Sequence, residues 1–521
     1  MIPTPPKTLV LSLLLALLFT LPAAANVNAF LAIGVTPAAP LMPGQRVSFS
    51  GAVFRAQTSS SQDAADVTMT IPLPPAVSNI TISGDSWNCS VQSTTITCTT
   101  SLVAGLNSTA FHFGFDAPAS QDGGTFLTNA TLATSVPNEA LFSGYQLFFS
   151  VYRVFAVTTP VDFGAGSLRD AITHANDRCD GTAPCLISFS GPMTIEPASQ
   201  LPAVTGCGVL IDGGVSRTES LDADRPVEIS GANAGFANGL EIRSACDVTV
   251  RGLTVNRFGA NGIVLAQLTD ARTAQLIVES CVIGADPGAM VARPNGMRGI
   301  SVETPATNAT IYNSTISGNR YSGIAVWAAS HFSLVSCRVG AGRDQRPLGN
   351  GASGIFVNGG QASMAGTVVA YNHDFGVAVG PNAAHVDAQA DGVFFNGIDL
   401  DWGLDGPTLT DPSLRMPPAP VLLDAAYDPA RNSTVVQGVL PATRKAFGRY
   451  SVRIFEASAG KHIARFPQVG VFNPAAGDAR FTLNVAGDLR GRTITGQTVY
   501  YEFADLPPLD SSELSPGIVV H

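Results

Sequence analysis

The stretch "SGNRYSGIAVW" (317–327) holds the pattern on which the fold turns: Gly323, then apolar Ile324, any residue, and apolar Val326. Working outward, the same unit occurs as Gly239-Leu-Glu-Ile, Gly262-Ile-Val-Leu, Gly299-Ile-Ser-Val, Gly354-Ile-Phe-Val, Gly376-Val-Ala-Val and Gly397-Ile-Asp-Leu. From Gly239 to Gly397 the spacings are 23, 37, 24, 31, 22 and 21 residues. A period near 22 residues with two enlarged members is what a solenoid gives when some coils carry loop insertions. Further short strands sit between the units, such as "VTVRGLTV" (248–255) and "ATIYNSTI" (309–316). Turns with Asn and an aromatic follow at Asn256-Arg-Phe, Asn319-Arg-Tyr and Asn372-His-Asp-Phe, the side chains a parallel stack uses at its corners.

Alternation along a strand sends the apolar pair inward and its neighbours outward. The first outward column then reads Glu241, Val264, Ser301, Ala325, Phe356, Ala378, Asp399; the second reads Arg243, Ala266, Glu303, Trp327, Asn358, Gly380, Asp401. Glu303, Trp327, Phe356 and Asn358 become neighbours on adjacent coils. A flat aromatic beside a carboxylate and an amide can stack on a sugar ring and bind its hydroxyls. The alternative is that the two insertions, "GADPGAMVARPNGM" (284–297) and "GAGRDQRPLGNGA" (340–352), fold over this face and bury both aromatics. Each insertion follows a Cys-x-[Ile/Val]-Gly step, so both leave the same edge of the stack. Their polar members Asp286, Arg293, Arg343, Asp344 and Arg346 are either binding groups or solvated loop.

Upstream, "VDFGAGSLRDAITHAN" (161–176) starts a helix: Ser167 and Asp170 make a capping-box-like pair, and Leu168, Ala171, Ile172 and Ala175 form one apolar stripe. A short helix of this kind blocks the open end of a coil stack. Arg169 and His174 fall on its polar side and read as solvated surface. The segment resembles the "CSLREAI..AN" signature of exported bacterial β-helix proteins, with Gly166 in place of the cysteine. Together with the repeats, it resembles the right-handed parallel β-helix of the pectate-lyase-like superfamily, over roughly half the chain. That resemblance implies a scaffold shared by lyases, hydrolases, epimerases, adhesins and spacers, so it does not fix the activity.

Both flanks alternate in short segments between turn clusters, as antiparallel sandwiches do. "GDSWNCSVQSTTITCTTSLVAG" (84–105) resembles Ig-like repeats of bacterial exported and surface proteins, in which Trp87 would be core and Cys89 and Cys98 a staple. The expected architecture is all-β: a signal peptide (1–25), an Ig-like sandwich (26–155), a right-handed parallel β-helix with its capping helix (156–412) and a second Ig-like sandwich (413–521). The signal peptide rests on Lys7, the apolar run 9–21 and Ala23-Ala24-Ala25. It places the protein outside the cytoplasm, in the periplasm, at the cell surface or beyond. No later segment is apolar enough to span a bilayer, and no series of lipid-facing strands suggests an outer-membrane barrel.

The formal charge is −10 and the chain has only three lysines, Lys7, Lys445 and Lys461, which argues against nucleic acid. Eight cysteines in an exported chain read as potential disulfides. Cys89 with Cys98, and Cys179 with Cys185, flank short loops. Cys207 and Cys246 share a register position in "CGVLIDG" and "CDVTVRG" on neighbouring coils. Cys281 and Cys337 also share a column, but Ser314 occupies the coil between them. Two rises of about 4.8 Å then exceed the ~7 Å a disulfide tolerates, so both are expected as buried thiols.

The β-helix lyases use an Arg or Lys base with Ca²⁺ held by an acidic cluster. Here the helix region has no Lys, and no outward Arg falls beside two or three carboxylates. Asp399 and Asp401 in "GIDLDWGLDG" (397–406) can act as an acid and base pair, can hold Ca²⁺, or simply close the stack. His331, His373 and His385 lack partners at metal spacing, and no cofactor motif or serine elbow occurs. The expected function is a non-catalytic, exported glycan-binding or adhesion protein whose partner is a polysaccharide or cell-surface glycan. The rival is a polysaccharide lyase or glycoside hydrolase working on the outward face.

Overall fold

The computed structural model describes residues 29–36, 40–55, 65–102, 110–135, 141–142, 145–216, 219–265, 274–303, 307–329, 331–388, 392–402, 417–441, 449–456, 465–466, 471–472, 478–501, 510–512 and 514–521. The expected signal peptide, Ala266 and residues 403–406 of "GIDLDWGLDG" lie outside them. The chain divides into two compact units, Met1–Arg153 and Val154–His521.

The first unit is a sandwich of two five-stranded sheets, almost wholly antiparallel. Phe49, Phe113 and Phe115 from one sheet meet Met69, Ile96 and Phe149 from the other in a single buried cluster. Cys89 and Cys98 sit directly opposite each other in register and are joined by a disulfide. Trp87 packs edge-on against buried Phe111, which makes it part of the core margin.

The second unit begins with the coil stack. Helix Leu168–Arg178 opens on Ser167, whose hydroxyl accepts from the Asp170 amide at 3.1 Å. Leu168, Ala171, Ile172 and Ala175 are buried and join the interior of the stack, closing that end. Arg169 departs from the expected solvated surface. Its guanidinium pairs with Asp162 at 2.8 Å and donates to the Gln200 and Ser199 carbonyls, tying the helix to the first coils. His174 stays exposed beside Asp170.

Three parallel sheets build the helix. The first has nine strands and ends at Ala383–Asp387; the second runs from Met193–Ile195 to Val393–Phe394 in eight; the third runs from Leu240–Ile242 to Ile398–Trp402 in seven. The expected inward residues Leu240, Ile263, Ile300, Ile324, Ile355 and Val377 form one vertical stack, each almost fully buried. Burying each such side chain contributes roughly 1.5–3 kcal/mol, which is what drives a coil to wind onto its neighbour.

Corners are pinned by an asparagine ladder. Asn295 donates to Asn319, Asn319 to Asn350, Asn350 to Asn372 and Asn372 to Asn396, at 2.9, 3.0, 2.8 and 2.8 Å. Asn319 and Asn372 were expected here; Asn256 was too, but it instead bonds Glu228 and the Ala285 carbonyl on the second sheet. Phe258 holds the ladder position in that coil, and its amide donates to Asn295. Cysteines line another corner. Disulfides join Cys179 to Cys185 and Cys207 to Cys246. Cys281 and Cys337 are free and buried, with Ser314 bonded between them, and burial pushes their thiols up to about 11 and about 12.

At the far end the chain turns into antiparallel sheets of three and six strands. Phe455 from this region packs with Ala370, Phe394 and Leu514, and Gln497 donates to the Ala388 carbonyl at 2.9 Å. The last coil is thereby sealed rather than left as an open strand edge.

Candidate functional site: the outward face of the third sheet

Both insertions cover a face, but it is the second sheet's. Ala285 and Ala289 of the first insertion and Leu348 of the second pack on outward Val282. The two insertions also touch, the Arg343 amide donating to the Ala289 carbonyl. Residues 219–226 run across several coils to complete the cover. Asn313 donates to the Glu219 carbonyl, Asp222 pairs with Arg338 at 2.5 Å, and Asp224 pairs with Arg343. Arg225, only 1% exposed, donates to the carbonyls of Ser280, Ala223 and Ser220.

The polar loop candidates are therefore largely consumed by structure. Asp286 accepts from the Met290 and Val291 amides inside its own hairpin. Arg293 pairs with buried Glu228 at 2.5 Å. Arg343 belongs to the ion pair just described, while Asp344 and Arg346 stay exposed.

On the third sheet's outward face the first column is buried as well, at Val264, Ser301, Ala325, Ala378 and Asp401, and the exposed part lies at the aromatic pair. Trp327 is 39% exposed, and its ring meets half-buried Phe356 edge-on with centroids 5.1 Å apart. The first column follows the expected register from Glu241 through Val264, Ser301, Ala325 and Phe356 to Ala378. The second column needs a correction. Glu303 pairs with Ala328 rather than Trp327, because the register slips after Val302. Trp327 is thus a bulged residue, and a bulge re-aims a side chain away from the regular pleat. Gly359 accommodates it, since a Cβ there would strike the Trp327 carbonyl.

Around the aromatic pair lie three polar groups. The Ser301 hydroxyl donates to Glu303 at 2.9 Å. Asn358 accepts from Asn382 at 3.5 Å, above a floor where Gly380 lets the Asn358 amide approach. Arg298, which the sequence reading overlooked, stands with its guanidinium 5.1 Å from the Trp327 ring centre. Its amide is fixed by the Asn261 side chain. Burial pushes its pKa down and Glu303 nearby opposes that shift. The missed signal was its position two residues after the ladder asparagine's glycine, immediately before a repeat glycine.

Asp399 and Asp401 do not keep the expected places. The last corner is one residue shorter than its predecessor, so Ala378 pairs with Asp401 and Phe375 with Ile398. Asp401 is fully buried in the first column. Asp399 ends the asparagine ladder, accepting from the Asn396 amide and side chain, both at 3.0 Å. Burial raises its pKa, partly offset by those Asn396 bonds. Among the described residues no three His, Cys, Asp or Glu side chains gather as a metal site. His373 contacts Asp374 at 2.7 Å in an exposed turn.

No curated protein matches the chain. Among solved structures, the crystal structure of the Actinomyces fimbrial adhesin FimA is 11% identical over 23% of this chain, with a TM-score of 0.18. The chain spans 50% of that structure's length, and a likeness this slight carries no argument. Residues 238–411, which hold six of the third sheet's strands beyond Leu240–Ile242 as well as that strand itself, match the family described as "Right handed beta helix region".

Proposed function

We propose that this chain is an exported, non-catalytic β-helix protein that binds glycan, in adhesion or at the cell envelope, through the third sheet's outward face. The observation that carries this reading is the exposed aromatic of the third sheet, set beside Phe356, Arg298 and Glu303. Insertions and the 219–226 segment bury the second sheet's face, while Trp327 stands out from its own on a bulge. Exposed aromatics on a rigid scaffold, ringed by amide and carboxylate groups, suit the apolar faces and hydroxyls of sugars. The carboxylates that would serve hydrolysis are taken up elsewhere, Asp399 by the ladder and Asp401 by burial. Three disulfides support an oxidising compartment, and the flanking antiparallel sandwiches are consistent with Ig-like modules of exported proteins.

The test is incubation of the full chain with neutral and acidic polysaccharides. Retention of the protein on at least one, without new reducing ends or ultraviolet-absorbing unsaturated ends, is expected. Release of either kind of end identifies a hydrolase or a lyase and removes the binding-only reading. Trp327→Ala should abolish the retention while leaving the unfolding midpoint nearly unchanged.

A further inference from the structure

Arg298 is an unusual cation. It is half-buried, it stacks on an exposed tryptophan, and among the described residues nothing accepts a hydrogen bond from its guanidinium. The other arginine of this face, Arg243, is committed to Glu241 at 2.5 Å. A guanidinium presents five donors in a rigid plane that matches the paired oxygens of a carboxylate or sulfate. With its centre 5.1 Å from the Trp327 ring centre, the guanidinium keeps donors available to a group bound beside the ring.

The surroundings limit how many such groups can bind. The same corner position in successive coils is occupied by Asn261, Arg298, Ser322 and Ser353, with Arg298 the sole charge. Glu303 lies on the same face and repels a second anion, and the whole chain carries −10. A polymer charged on every ring would meet one guanidinium, one carboxylate and a repulsive field reaching roughly 8–10 Å at ordinary salt.

We infer that Arg298 and Trp327 form a single oxyanion subsite, fitted to a glycan bearing an isolated sulfate or carboxylate and not to a polyanion. This rests on the proposed glycan-binding face and specifies what that face selects. The sugar ring stacks beside Trp327, its lone anionic substituent takes the Arg298 edge, and Glu303 and Asn358 receive neighbouring hydroxyls.

The experiment is an array of neutral glycans, their singly sulfated or singly carboxylated derivatives, and multiply charged glycans, probed with the full chain and with Arg298→Gln, Arg298→Lys and Trp327→Ala. Singly charged members should bind at least about tenfold tighter than their neutral parents, the value of one charge-assisted contact. Arg298→Gln should reduce them to the level of the parent, Arg298→Lys should retain part of the gain, and Trp327→Ala should weaken both classes. Comparing the sulfated and carboxylated arms identifies the substituent. Neutral glycans bound equally well by the native chain and Arg298→Gln overturn the oxyanion subsite and leave the glycan face standing. A preference for multiply charged glycans overturns it as well. Failure to bind any glycan removes both readings. Unfolding midpoints for each variant separate lost binding from lost folding, and Arg298→Lys keeps the test intact if Arg298→Gln does not fold.

Discussion

The outward faces of the second and third sheets are made by the same coils, with strands of similar length and the same inward apolar stacking. They nevertheless meet different fates. On the second, outward Glu228, Thr254, Val282 and Thr315 are all buried beneath three segments that interrupt the repeat. On the third, Val264, Ser301, Ala325 and Ala378 are buried too, but Trp327 and Glu303 remain exposed and no acceptor among the described residues meets the Arg298 guanidinium. The repeat therefore builds both faces alike, and the two insertions pack on only one of them. Here the insertions line one wall, and the exposed aromatic stands on the wall they avoid.

Removing the cover should have the largest effect. Arg225→Ala leaves the Ser280, Ala223 and Ser220 carbonyls without their donor in a buried site. The expected cost is about 3 kcal/mol or more, read as a lower urea midpoint, with faster hydrogen exchange in residues 219–226. A cost below about 1 kcal/mol would mean the segment lies on the second sheet without holding it.

The ladder shared by both faces comes next. Asn350 accepts from the Asn319 amide and side chain and donates to Asn372 and the Ile316 carbonyl. Asn350→Ala should cost about 2–3 kcal/mol, because buried groups on both neighbouring coils lose partners. Trp327→Ala, on the open face, should cost less than about 1 kcal/mol in the same urea titration. Equal losses for the two variants would contradict the distinction between a structural corner and an exposed surface residue.

The smallest effects are those of pH, and they have opposite signs. Hydrogen bonding to Arg338 lowers the pKa of Asp222 below 3.8, so its contribution is present above the ordinary value and lost as pH falls through the lowered one. Burial raises Asp399, so its contribution is full below 3.8 and disappears as pH rises through the raised value. Asp399→Asn keeps an oxygen for Asn396 without a buried charge. It should hold or slightly raise stability at neutral pH, while Asp222→Asn lowers it. Matching unfolding curves from pH 3 to 7 for both variants would refute the assignment of roles.

How much of this was legible in the sequence varies with the physics involved. The inward stack and the first outward column follow from Gly-apolar-x-apolar alone, because period-2 alternation fixes the side each residue faces. The Cys207–Cys246 disulfide and the separation of Cys281 from Cys337 by Ser314 follow from the same register. Errors began where the backbone left that period. The slip after Val302 moved Trp327 off Glu303, and the shortened corner before Ile398 moved Asp399 and Asp401 by two places. Asn295 and Asn350 were hidden because each ends an insertion, where spacing from the previous ladder residue is lost. The wall that the insertions cover depends on contacts such as Asp222–Arg338, 116 residues apart, which no local pattern contains.

Hydroxyl-radical footprinting of the intact chain tests the contrast between the two faces most directly. The account predicts rapid oxidation of Trp327, with Val282 and Leu348 labelled slowly beneath the cover. Trp327 protected to the level of Val282 would contradict it, since the third sheet's face would then be closed and the proposed binding surface lost.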